Sequence, residues 1–312
     1  MPELLAPAPK TSETLYGLMR DAPCDACGGD EFRELFYKKS ERGEVFRLVS
    51  CRSCGLVQVN PQPDAAAVAP YYSSDYFTRR TDRGYADYFS EAVRKSINAV
   101  YEMNLRDLGF FTFEKEARAK FASLRSLDAG CAAGYFVDFM RSRGWEASGV
   151  EVSPDAARYG KDELGLNILV DDFLTTGELA PESFELVSFW ASLEHMHSPR
   201  RVLKRAFELL RPGGRLLLST CRYGILARAR GINWRYMNVP EHLYFFSKSG
   251  LLRMARSVGF QDAKWITYGS GLTTRKDASR AYRIAKKIAD PLVKILGQGD
   301  MIALSLEKPE VE

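Results

Sequence analysis

The stretch that most restricts this chain is Leu127-Asp-Ala-Gly-Cys-Ala-Ala-Gly-Tyr-Phe136. A short apolar strand, Ser126–Ala129, runs into a turn of small residues and then into a helical pattern over Tyr135–Arg143. Small residues let the backbone approach a ligand closely, and glycine tolerates the φ angles of a sharp turn. In an open α/β sheet such a turn lies at the carboxyl edge of the strands, where ligands bind. A dinucleotide fingerprint needs G-x-G-x-x-G. Here Gly130 and Gly134 flank Ala132, and the third fingerprint glycine falls on Tyr135. That bulky ring argues against a nicotinamide dinucleotide.

Strands and helices alternate from Leu124 onward, which predicts a doubly wound, mostly parallel α/β sheet. The expected strands are Ser126–Ala129, Ala147–Glu151, Ile168–Val170, Phe184–Trp190 and Arg215–Thr220, with helices from Tyr135, Pro154 and Pro199. Ser198 is the expected N-cap of the third helix, and Pro212-Gly-Gly214 its stop. Lys264–Tyr268 and Met301–Leu306 are expected to pair antiparallel at one sheet edge, giving seven strands in all.

Ahead of this region stand Cys24-x-x-Cys27 and Cys51-x-x-Cys54, four of the six cysteines. Each pair places two thiolates on a tight turn, and Gly28 and Gly55 follow them. Two such knuckles at the ends of a hairpin, Glu31–Lys39 and Glu44–Ser50, predict a closed tetrahedral zinc site of structural type. Cys131 and Cys221 read as small buried fillers. The organisation expected is a disordered or loosely docked tail over 1–20, a zinc ribbon over 21–62, a helical linker or cap over 63–120 and the α/β domain over 121–312.

With 46% hydrophobic residues in 312 the chain can build a large core, and no apolar run approaches the roughly 20 residues that span a bilayer. The first ten residues lack the pattern of a secretion signal, so a cytoplasmic protein is expected. A net charge of +4 is too small for a dedicated nucleic-acid protein.

Asp128-x-Gly130-x-Ala132-x-Gly134 resembles motif I, D/E-x-G-x-G-x-G, of the class I S-adenosylmethionine-dependent methyltransferases, with alanine in place of the middle glycine. Cys51-x-x-Cys54-Gly-Leu-Val, Asn60-Pro-Gln-Pro63, Leu193-Glu-His195 before Ser198-Pro199, and Pro240-Glu-His242-Leu-Tyr-Phe-Phe-Ser247 resemble a bacterial branch of that family. The resemblance covers roughly residues 22–308 and implies a Rossmann-like methyltransferase fold with S-adenosylmethionine as cofactor. It further implies that Glu151 accepts the ribose hydroxyls and that Asp172 and Phe173 meet the adenine. Asp128 and Gly130 would lie near the amino-acid end. Ala132, Gly134, Tyr135, Phe136, Val152 and Trp190 complete the expected cofactor contacts.

Transfer to a hydroxyl needs a group to take its proton. His195, just past the fourth strand, is the candidate base, with His242 and Glu194 beside it in the expected catalytic set; His197 reads as surface. Glu194-His195 also resembles the metal-assisted O-methyltransferases of quinone biosynthesis, which carry a further carboxylate three residues earlier, where Ala191 stands here. Trp190, Tyr71, Tyr72, Tyr76 and Phe77 either line an acceptor pocket or belong to the core. The expected acceptor is a small molecule, glycan or lipid, methylated at oxygen.

Two alternatives stand beside this reading. One is an RNA methyltransferase gripping nucleic acid with its ribbon, although glutamates interleave with the ribbon's cations and the Asn/Asp-Pro-Pro-Tyr signature is absent. The other is a non-catalytic cofactor-binding scaffold, suggested by Ala132. The segment 280–296 alternates basic and apolar residues, as in a helix packed on the sheet or one resting on an anionic membrane.

Overall fold

A computed structural model describes residues 18–72, 87–272 and 279–310. Tyr76 and Phe77, and most of the 1–20 tail, lie outside the described residues. The end of that tail is docked: β1 (Met19–Arg20) pairs antiparallel with β5 (Gln62–Pro63).

The ribbon hairpin is β2 (Phe32–Lys39) and β3 (Val45–Cys51), turned at Ser40–Gly43, with β4 (Val57–Val59) antiparallel to β3. Next come α1 (Ala65–Val68), a 3₁₀ turn over Ala69–Tyr72, α2 (Glu91–Asp107) and α3 (Phe110–Lys120). The α/β region follows with β6 (Arg125–Ala129), α4 (Tyr135–Ser142), β7 (Glu146–Glu151), α5 (Pro154–Asp162), β8 (Asn167–Val170) and β9 (Phe184–Trp190). It continues through α6 (Pro199–Leu209), β10 (Leu210–Cys221), α7 (Ile225–Arg230), β11 (Tyr244–Phe245), α8 (Lys248–Ser257), β12 (Gln261–Tyr268), α9 (Arg280–Ile295) and β13 (Met301–Glu307).

Seven strands form the main sheet in the order β12-β13-β10-β9-β6-β7-β8. The five strands from β10 to β8 are parallel, and β13 lies antiparallel between β10 and β12. Strand β9 is buried along nearly its whole length, as an apolar strand covered on both faces must be. Chain order reverses between β6 and β9. That is the switch point at which open α/β sheets leave a crevice beyond the carboxyl ends of their strands.

Two helix-end expectations fail. Helix α6 stops at Leu209, and Pro212-Gly-Gly214 instead lies in an irregularity of β10, between residues that pair Phe184 and Leu186. Ser198 does not cap α6: it sits at φ 56° with no side-chain cap hydrogen bond. Its place is taken from outside the segment. Asp25, inside the first cysteine knuckle, accepts the Arg200 N–H at 2.6 Å. A carboxylate at a helix N-terminus also meets the positive end of the helix dipole.

The ribbon and the α/β region are stitched further. β11 adds to β4, so the ribbon sheet has four strands, one of them from 244–245. Cys24, Cys51 and Leu56 share a core with Leu243, Tyr244 and Phe246. Helix α9 buries none of its residues; Ile284, Ile288, Leu292 and Ile295 face outward, so the stripe does not pack on the sheet. Among the described residues no helix is long and apolar enough to cross a membrane.

Candidate active site

At the switch point a cavity of about 280 Å³ opens beyond β6, β7, β8 and β9. Gly130, Glu151, Val152, Asp172, Phe173 and His195 all contribute to its wall, and Val68 and Tyr72 roof it from α1 and the 3₁₀ turn. Gly130 adopts φ +68°, and a Cβ there would come within 2.7 Å of the Ser192 Cβ. Glycine is required twice over, for conformation and for space. Ala132 also lies at positive φ, 49°, which costs a non-glycine residue roughly 1 kcal/mol. Its N–H donates to Glu151 Oε2 at 2.8 Å, and the Ser153 N–H donates to Oε1 at 2.8 Å. Burial raises the Glu151 carboxyl above its ordinary range, against the lowering effect of those two N–H groups.

On the far side of the cavity His195 Nδ1 lies 2.8 Å from the Tyr72 hydroxyl, which also donates to the Glu241 carbonyl at 3.3 Å. The His242 ring stands edge-on to His195, centroids 4.6 Å apart. Ligand atoms of Glu194, His195 and His242 fall within 4.8 Å of one another. Glu194 is 1% exposed. Burial raises its carboxyl, while His195 pulls it down. The cluster can move a proton at the cavity wall and hold the resulting positive charge beside a carboxylate. Three such donors can also ligate a divalent ion; Ala191 supplies no fourth.

A sequence profile described as "Methyltransferase domain" matches residues 102–264, slightly more than half of the chain. The chain belongs to this methyltransferase family. With the seven-stranded order above, it is a class I S-adenosylmethionine-dependent methyltransferase. The ubiquinone biosynthesis O-methyltransferase of Idiomarina loihiensis is 28% identical over 175 residues, 52% of this chain and 71% of that protein. The mitochondrial ubiquinone biosynthesis O-methyltransferase of Schizosaccharomyces pombe is 32% identical over 135 residues, 41% of this chain but only 49% of its own length. A crystal structure of a SAM dependent methyltransferase from Archaeoglobus fulgidus is alike in fold, with a TM-score of 0.51 at 18% identity over 69% of this chain and 94% of that one.

The methyltransferase cavity does not gather every residue expected of it. Asp128 is buried behind the wall, accepting the Ser188 hydroxyl at 2.6 Å, and burial pushes its carboxyl up to about 8. Gly134 makes room for Leu166 and Ile168, not for a ligand. Tyr135 stacks on Tyr88 and donates its hydroxyl to the Tyr88 carbonyl at 2.7 Å. Phe136 and Trp190 pack against each other and Tyr101. Tyr135, Phe136 and Trp190 all belong to the aromatic layer packed under α2. Tyr71 is likewise structural, its hydroxyl meeting Ser40 and Glu44 of the ribbon hairpin. Glu194 and His242 stand one layer behind His195 and line no part of the cavity.

Sequence reading missed two groups. His197, expected at the surface, lines the cavity with Nε2 2.8 Å from the Pro63 carbonyl. Cys221, correctly buried, places Sγ 3.6 Å from His242 Nδ1. Neither has a local signal, since both meet partners far away in the chain.

In the ribbon, Cys24 Sγ lies 3.3 Å from Cys54 Sγ and Cys27 Sγ 3.6 Å from Cys51 Sγ, with all four sulfurs inside 4.8 Å. The two knuckles match in conformation, with Gly28 at φ 76° and Gly55 at φ 77°. Burial alone raises the Cys51 thiol, but the Cys54 N–H, the Cys27 thiol and the Ser53 N–H outweigh it and bring it down to about 7. Four soft donors at this spacing fit a closed zinc centre that leaves no position for water.

Proposed function

We propose that this methyltransferase alkylates an oxygen of a small-molecule, glycan or lipid acceptor, with His195 as the base. The observation carrying the reading is the convergence of Gly130, Glu151, Asp172 and His195 on one cavity at the switch point. S-adenosylmethionine supplies, when bound, a methyl group already activated on a sulfonium. The chain's own task is to orient the acceptor and keep water out. Glu151 would exchange its Ala132 N–H contact for the ribose hydroxyls, and Asp172 and Phe173 would hold the base. A phenol has one proton. With the Tyr72 proton directed at the Glu241 carbonyl, His195 Nδ1–H donates to the Tyr72 oxygen, which leaves Nε2 with its lone pair for the acceptor's proton. Glu194 then lies beside the imidazolium that forms.

Glu151→Gln tests the cofactor half of this reading. Losing charge-assisted bonds to two hydroxyls should weaken S-adenosylmethionine binding by about ten- to a hundredfold in calorimetry. An unchanged affinity would remove Glu151 from the site. Cofactor binding without turnover on any oxygen acceptor would favour a scaffold instead.

We further propose that α9 rests on an anionic membrane surface, which suits a lipid acceptor. Ile284, Ile288, Leu292 and Ile295 are 49%, 65%, 51% and 82% exposed on a helix that also carries Arg280, Arg283 and Lys287. Burying one isoleucine is worth about 1.5–3 kcal/mol. Ile288→Glu should therefore reduce co-sedimentation with phosphatidylglycerol vesicles by roughly tenfold or more. A wild-type chain that stays in the supernatant would refute this contact.

A further inference from the structure

The ribbon and the α/β body meet along a second cavity, of about 460 Å³, which shares no wall residue with the first. Arg33 comes to it from β2, Arg222 and Arg228 from the end of β10 and from α7, and Lys248 and Arg253 from α8. Three serine hydroxyls and Tyr223 add donors, and among the described residues no aspartate or glutamate lines the wall.

Three of the five cations have neutral hydrogen-bond or ring partners. Arg253 donates to the Cys54 carbonyl at 3.0 Å, and Lys248 Nζ sits 3.6 Å above the Trp265 ring centre. The Arg222 guanidinium donates to the Gly299 carbonyl at 3.3 Å and to Gln298 Oε1 at 3.1 Å. Arg222 is only 8% exposed, and its Nε has no hydrogen-bond partner among the described residues. Asp300, the carboxylate that acts on it electrostatically, accepts the Trp234 indole N–H on Oδ1 at 3.0 Å, and its Oδ2 has no hydrogen-bond partner among the described residues. Burial and the like charge of Arg228 both disfavour the Arg222 cation. A buried guanidinium with an idle donor and a like charge beside it gains from a further anion at the cavity.

The backbone is arranged around this group. A Cβ at Gly224 would fall 2.4 Å from Arg222 Nη1, so glycine there leaves the guanidinium its place. Such a wall exceeds what one carboxylate needs. Arginine forks match the geometry of phosphate oxygens, and several converging cations suit a group of more than one negative charge.

We propose that this cavity binds a phosphoryl or pyrophosphoryl group. The site is independent of the methyl-transfer reading, and its test needs neither cofactor nor turnover. The group can belong to a soluble phosphorylated ligand or to a lipid headgroup.

Calorimetry of the full chain with inorganic pyrophosphate at constant ionic strength decides the point. Arg33 and Arg228 are exposed and can be replaced without emptying a core. The Arg33→Gln, Arg228→Gln double variant should bind pyrophosphate about tenfold more weakly or worse, while keeping its S-adenosylmethionine affinity. Arg222→Gln should abolish binding if it folds, and the double variant stands as the test if it does not. Vesicles carrying phosphatidic acid separate the two sources. With Ile288→Glu as the background, so that α9 does not contribute, retention lost on adding the two arginine changes assigns a headgroup; pyrophosphate binding without such a loss assigns a soluble ligand. No pyrophosphate binding, or equal binding in the double variant, overturns the proposal.

Discussion

Cys51→Ser should leave the protein with far less than its expected zinc, about one ion per chain, and lower its thermal midpoint by more than about 10 °C. Structural zinc in small domains contributes apparent folding free energies of about 10–16 kcal/mol. Part of that is replaced here, since Cys51 and Cys24 also belong to a core shared with Leu243 and Tyr244. The effect should reach past the ribbon. Asp25, between Cys24 and Cys27, holds the first turn of α6 through the Arg200 N–H, and that turn follows directly on His195 and His197. Cofactor affinity should therefore fall in the variant even at temperatures where it remains folded. Metal analysis and calorimetry on the purified chain check both parts. A Cys51→Ser protein that keeps its metal, or melts with the wild type, would show that these sulfurs hold no structural ion. Cys131→Ala, buried in another cluster, is the control that should retain zinc.

The second large effect is kinetic. His195→Ala should lower kcat by about 10²–10⁴, the usual worth of a positioned general base, with S-adenosylmethionine affinity changed by less than roughly threefold. Tyr72→Phe should lower kcat by less than His195→Ala does, because the phenol orients the ring at Nδ1 and does not itself take the proton. Equal kcat in wild type and His195→Ala would take the histidine out of the chemistry.

Much of the fold was legible in the sequence because its signals are local. The small-residue turn after Ala129, the run Phe184–Trp190 and the stripe on α6 each declare a strand or helix from neighbours within a few residues. The cysteine knuckles are equally local, two turns that differ by 1° in φ at their glycines. What the sequence hid depends on partners far along the chain. Ser198 followed by proline has the look of an N-cap, yet the cap is Asp25, 175 residues before the Arg200 N–H it accepts. His242 lies in a loop whose two following residues become a strand of the ribbon sheet. Motif positions such as Tyr135 and Phe136 follow the turn in sequence, but helical geometry rotates them away from the cavity and into the aromatic layer under α2. The basic cavity was invisible for the same reason: its cations come from three separate stretches between Arg33 and Arg253.

The pairing of β11 with β4 bears on any attempt to trim this enzyme to a minimal catalytic fragment. Cutting away everything before Asp64 would strip Tyr244 and Phe245 of their strand neighbours Gln58 and Val57 and lay bare Leu243 and Phe246. The severed piece would then offer an orphan backbone edge bordered by aromatic rings, the kind of surface on which chains stack into insoluble aggregates.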